Sequence, residues 1–218
     1  MSTNNLEFGR VLRAATSGFA VGCRVGQLQG PAFGSLVKAQ PVDEREAIYG
    51  LIYDMHVDDD PLVRRLVLAE NPPESVINDQ RDNRLLPIEM SVLAVGYTQN
   101  GAIRHRLPPR PPLNLDPVEL CLEREEVTRF TDNLGYLRLI LRAEGSGVPV
   151  DQLLVAHISH VHALRGGDTE WAMRVIAELI ELLRANYDVL IPTLEAVSAA
   201  LEMEAWQMDL SRRGETRP

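Results

Sequence analysis

The chain has 218 residues, 45% apolar and 24% charged, a balance that excludes disorder over most of its length. That length allows one larger domain or two small ones, each able to bury a core. A net charge of −9 and an isoelectric point near 5.1 count against tight, non-specific binding to a phosphate backbone. No apolar run approaches the roughly 20 residues of a membrane span, and residues 1–8 lack the basic and apolar regions of a signal peptide. Cys23 and Cys121 are the only cysteines, too few for a disulfide framework or a four-cysteine zinc site, so a reducing cytoplasm is the expected location.

The first half reads in period two, punctuated by glycine. Strands are expected at residues 8–13, 18–23, 34–39 and 47–55, the last rich in β-branched and aromatic residues. Glycine inside so many strands fits a sheet that bends sharply and brings backbones close, as a small closed barrel does. Asp58-Asp59-Asp60-Pro61 reads as the cap of a helix over 61–70, with a further helical turn over 74–83. A strand over 87–97 follows, then Asn100-Gly101 as a tight hairpin turn, then a return through 103–107. The expected sum is a closed β-barrel of about six strands.

Four prolines in Pro108-Pro109-Arg110-Pro111-Pro112 force extended backbone and read as a rigid spacer between domains. Beyond it the period becomes 3.6. Helices are expected over 123–133, 135–144, 150–165 (ended by Gly166-Gly167), 168–184 (capped by Asp168) and 187–208, the last kinked or restarted at Pro192. The expected fold class is therefore α+β in two parts, a small N-terminal closed barrel followed by a C-terminal helical bundle. The barrel domain is assigned to 6–115 with a helical excursion at about 60–83, the bundle to 116–210, and a disordered tail to 211–218.

The run Phe8-Gly9-Arg10-Val11, Phe19, Phe33-Gly34-Ser35-Leu36-Val37-Lys38-Ala39 and Ile48-Tyr49-Gly50-Leu51-Ile52 resembles the HAS-barrel family. That barrel stands at the N-terminus of HerA-type DNA-translocating ATPases and of ATP synthase catalytic-ring subunits. Leu107 to Pro112 followed by Val118-Glu119-Leu120-Cys121 is similar to stand-alone bacterial HAS-barrel proteins. The resemblance implies an assembly or docking platform, with a HerA-type ATPase or a NurA-type nuclease as partner and DNA repair as context. The chain departs from those ATPases in having no Gly-x-x-x-x-Gly-Lys-Ser/Thr phosphate loop. Its one lysine, Lys38, lies in a strand, and no ATPase residue carries over.

The residues themselves point to no enzyme and no cofactor. His157 and His160, three apart on a helix, would need carboxylates from elsewhere to hold zinc. A hydrogen-bonded, half-buried His157 is the plainer expectation. Asp58-Asp59-Asp60 suits a hard cation, but consecutive carboxylates ahead of Pro61 read first as a helix cap. Cys23 reads as core, and Gly34-Ser35 carries no triad signal.

Arg104, Arg106 and Arg110 form the cationic cluster, fit for an acidic partner surface or, as an alternative function, a nucleic-acid backbone. With only 5% aromatic residues, stacking platforms for bases are scarce. The Trp171–Leu183 segment is apolar around most of its circumference, and Trp206 and Met208 add apolar surface near the last helix's end. Trp171 and Trp206 thus join the three arginines as expected partner contacts, and a homo-oligomer is expected.

Overall fold

The computed structural model describes residues 6–24, 30–40, 46–57, 64–65, 67–69, 71–83 and 87–201. It divides into two compact units, Met1–Leu122 and Glu123–Pro218. The expected Asp58-Asp59-Asp60 cap, Trp206 and the expected tail fall outside the described residues, as does half of the helix expected over 61–70.

The first unit contains β1 (Leu6–Ala15), β2 (Gly18–Arg24), β3 (Leu36–Ala39), β4 (Ile48–Val57), helix α1 (Glu74–Asn83), β5 (Pro87–Gln99), β6 (Ala102–Arg104) and β7 (Pro117–Leu120). All pairings are antiparallel. They run β2-β1-β7-β3-β4-β5, and a further β2–β5 ladder closes a six-stranded barrel. The alternate residues of each strand that face inward form one cluster, including Phe8, Val11, Phe19, Val21, Val37, Ile52, Met90, Val92, Val118 and Leu120.

Closure needs curvature, and the strands supply it with bulges. Register slips by one residue at Leu12 and Phe8 in β1, at Tyr53 in β4 and at Val95 in β5. Each extra residue bends its strand and shifts which face follows. Ala94 and Tyr97 therefore share the interior although they are three apart. Glycine serves close approach at Gly18, where a Cβ would collide with the Val92 carbonyl oxygen, and at Gly50, where it would collide with the Val92 side chain.

The barrel's sixth strand is not the one expected. Residues 102–104 make only a short hairpin arm on β5, turned through Asn100 (φ 52°) and Gly101 (φ 79°). The sixth stave is β7, after the proline segment, wedged between β1 and β3. The prolines are thus a connection within the barrel unit, and the boundary expected between residues 115 and 116 lies instead between Leu122 and Glu123. A Pro at a strand's first residue forfeits no ladder bond there, which is why Pro117 can open β7.

The second unit contains α2 (Arg124–Thr131), a 3-10 turn (Leu134–Tyr136), α3 (Leu137–Leu141), α4 (Val150–Leu164), α5 (Thr169–Leu183) and α6 (Tyr187–Ala200). Helix α4 packs against α2, α3, α5 and α6, and α6 also against α5. Its core is built from Phe130, Tyr136, Leu137, Ile140, Leu153, Ile158, Trp171, Val175 and Leu179. Gly166 and Gly167 end α4 at positive φ, where glycine carries no Cβ penalty. Asp168 caps α5 by accepting from the Trp171 backbone N–H at 2.9 Å. Helix α6 is one element through Pro192 rather than a restarted one. The proline stands in its second turn, where it gives up a single bond.

Candidate interaction site

Among the expected contact residues, Arg104, Arg106 and Arg110 are exposed. Arg106 is held to the barrel, donating from Nε and Nη2 to the Tyr97 hydroxyl at 3.1 and 3.0 Å with its guanidinium 5.8 Å from the ring centroid. Arg104 ends β6, and Arg106 and Arg110 follow it in the connection to β7.

Trp171 requires correction. It is fully buried, and its indole N–H donates to the Thr131 carbonyl at 3.0 Å, so no partner reaches it. The wide apolar arc of α5 is what points to a surface in the sequence. The arc is divided, with Trp171, Ala172, Val175 and Leu179 inward and Met173 and Ile180 outward.

What Trp171 does is anchor a polar junction that the sequence reading missed. Arg165, just beyond α4 and 5% exposed, lies 5.3 Å from the Trp171 ring centroid. It donates to Asp168 Oδ2 at 2.9 and 3.1 Å, to Asp132 Oδ1 at 3.0 Å and to Thr131 Oγ1 at 3.1 Å. One planar fork therefore ties the end of α2, the end of α4 and the start of α5. The Trp171 N–H, and then Arg165, hold the Asp168 carboxyl below the usual carboxylate range. The available signal was Arg165-Gly166-Gly167-Asp168, a cation and a capping acid on either side of a helix stop.

His157 is buried in the same unit, its Nε2 within 3.2 Å of the Tyr136 hydroxyl and the two rings edge to face at 5.4 Å. Burial pushes the Tyr136 phenol above its ordinary value. His160 is partly buried, and among the described residues no three His, Cys, Asp or Glu side chains gather where they would hold a metal ion. Cys23 lies in the barrel core with its thiol pushed up by burial. The Ser35 hydroxyl accepts from the Ala32 N–H at 3.1 Å and so belongs to a turn.

Two surface features stand outside the sequence reading. The first is the turn Leu113–Asp116 between the prolines and β7. Asp116 is buried and its carboxylate accepts from the Leu113 N–H at 2.7 Å. The Leu115 N–H donates to the Val11 carbonyl at 2.8 Å, and the Val11 N–H donates to the Asp116 carbonyl at 3.0 Å. Arg10 also donates to the Leu115 carbonyl at 2.9 Å. These bonds hold Leu115 at φ 71°, a left-handed conformation that non-glycine residues pay to adopt, with its side chain 70% exposed. Leu113 beside it is 59% exposed.

The second feature is an open cavity of about 260 Å³ in the helical unit, lined by the aliphatic Leu141, Val148, Val150, Leu183 and Val189 and by the polar Glu144, Asp151 and Asn186. Neither of these carboxylates makes an ion pair with a described residue.

Among the described residues no helix is long and apolar enough to cross a membrane. Neither a protein-family model nor a curated protein matches this chain.

Proposed function

We propose that the chain is a non-catalytic assembly module of the cytoplasm, a closed barrel followed by a helical bundle whose outer surface contacts other subunits. The observation that supports this reading is the apolar exterior of the helical unit. Met173 and Ile180 on α5, and Tyr187 and Ile191 on α6, are each between 42% and 70% exposed. Spacings of seven and four residues set each pair along one side of its helix, and the two helices pack on each other. Stripes of this kind on adjoining helices mark contact surfaces more often than scattered single residues do.

The partner class follows from the barrel's resemblance to HAS barrels: a second copy of the chain, a HerA-type ATPase or a NurA-type nuclease in DNA processing. Light scattering over a concentration series tests the reading, with particles of two or more chains expected. The same measurement with a purified HerA-type ATPase or NurA-type nuclease added tests the second partner class. A monodisperse single chain at every concentration, with neither protein binding, overturns the proposal. Salt-resistant DNA binding lost on replacing Arg104 and Arg110 would put the nucleic-acid reading in its place.

A further inference from the structure

We infer that two copies of this chain pair through the outer face of α5, the two helices lying antiparallel about a two-fold axis at Ala177. The inference rests on the assembly reading and commits it to a second copy and to one contact surface.

What selects a second copy is that this face is its own complement. At about 100° per residue, the exposed side of α5 is centred on Ala177, opposite the buried Trp171, Ala172, Val175 and Leu179. Exposed Met173 and Ile180 lie along one flank, four residues before Ala177 and three after it. Exposed Arg174 and Glu181 lie along the other flank, three before and four after. Glu170 and the C-cap Arg184, both exposed, lie near the midline, seven residues to either side.

A two-fold axis through Ala177 reverses the helix but sets each flank against the same flank of the copy. Met173 therefore meets the second copy's Ile180, Arg174 its Glu181 and Glu170 its Arg184. A parallel pairing would instead set each charge against its like. Ala177, the smallest side chain of the face, stands at the crossing and lets the helix axes approach to roughly 8 Å.

The pairing keeps the bonds these charges already make. Arg184 lies 2.8 Å from Glu181 of its own helix, and both are exposed. Arg174 Nη1 donates to the Asp132 carbonyl at 3.1 Å, and its Nη2 lies 3.7 Å from Asp132 Oδ1. Glu170 makes no ion pair with a described residue. A guanidinium carries five N–H donors. Each end of the paired helices thus becomes an alternating group, Glu170 and Arg174 from one copy with Arg184 and Glu181 from the other. Exposed pairs are worth little singly and more as a network. The four charges cancel, so the face adds nothing to the repulsion between chains of net charge −9. Met173 and Ile180 supply the apolar burial.

The test uses the full chain and light scattering over a concentration series, with two-chain particles expected. Glu170→Arg and Arg184→Glu each bring like charges together at both ends, so each variant alone should associate about tenfold more weakly. Mixed, the two restore opposite charges at both ends, and the mixture should form two-chain particles with wild-type strength. Ala177→Glu, at an exposed site, sets two carboxylates on the axis and should weaken association likewise. It decides the question if either charge reversal misfolds by circular dichroism. Two-chain wild-type particles unchanged by all three substitutions would overturn this contact and leave the assembly reading standing. Charge reversals that weaken association without recovery on mixing would overturn the antiparallel register. A wild type that stays single-chain would overturn the pairing in any register, and the assembly reading would then stand or fall on the added ATPase or nuclease.

Discussion

The two halves hold their shapes by different means. In the barrel the determinants are backbone ones: a closed ladder, four single-residue bulges, and glycines where strands come too close for a Cβ. In the helical unit they are side chains meeting at a junction, with Arg165 and Trp171 joining three helix ends. A backbone clash is therefore the sharper probe of the barrel, and loss of a junction side chain that of the helical unit.

Trp171→Ala should strike hardest. It empties a fully buried site and orphans the Thr131 carbonyl, for about 4 kcal/mol. Hydrogen exchange should show protection lost across α2 to α5 while β2, β4 and β5 keep theirs. Equal loss in both halves would break the comparison.

Next is Gly18→Ala, about 3 kcal/mol from pressing a methyl into a carbonyl that belongs to the neighbouring ladder. Gly101→Ala is its control. No atom lies within 4 Å of the new Cβ, and only the positive φ is penalised, by about 1 kcal/mol. Urea titrations of the two variants should differ accordingly.

Arg165→Met should cost about 2 kcal/mol, because its carboxylate partners Asp132 and Asp168 are 55% and 31% exposed and regain water when the guanidinium leaves. Arg165→Lys should recover less than half, since an ammonium cannot fork between two acids and a hydroxyl.

The smallest effect is the acid limb of the helical unit. Asp168 is held below the ordinary carboxylate value of about 3.9 when folded. The unfolded chain therefore binds its proton first as pH falls, and the stability Asp168 contributes, full above about pH 4, is lost as pH drops through the lower folded value. Asp168→Asn keeps a capping oxygen but removes that titration, so its cost, about 1 kcal/mol or less at neutral pH, should vanish toward pH 2. Thermal unfolding of both proteins from pH 6 to pH 2 checks this.

The sequence carried most of the helical grammar because caps and stops are local. Asp168 and Gly166-Gly167 each satisfy groups within a few residues of themselves. The Asn100-Gly101 hairpin was legible for the same reason. What escaped depends on distant pairing. Pro117-Val118-Glu119-Leu120 is too short and too proline-led to read as a strand, and only β1 and β3 on either side make it one. Trp171 escaped because an apolar arc does not say which part faces in. Leu115 escaped because nothing in Leu113-Asn114-Leu115-Asp116 marks the leucine, rather than the asparagine, as left-handed.

The late arrival of β7 also sets the order in which the barrel can be made. The bond from Arg10 to Leu115 spans 105 residues, and β1 and β3 have no partner on their β7 sides until that stretch exists. On a ribosome, where N-terminal parts emerge first, five staves can pair early, but two unpaired strand edges stay exposed until residue 120 clears the exit. The long loop adds little entropy beyond a shorter one. The consequence is one of timing, because non-local closure is slow. A nascent chain halted at the prolines would be an open sheet with sticky margins, the form in which this protein is most vulnerable to its own neighbours.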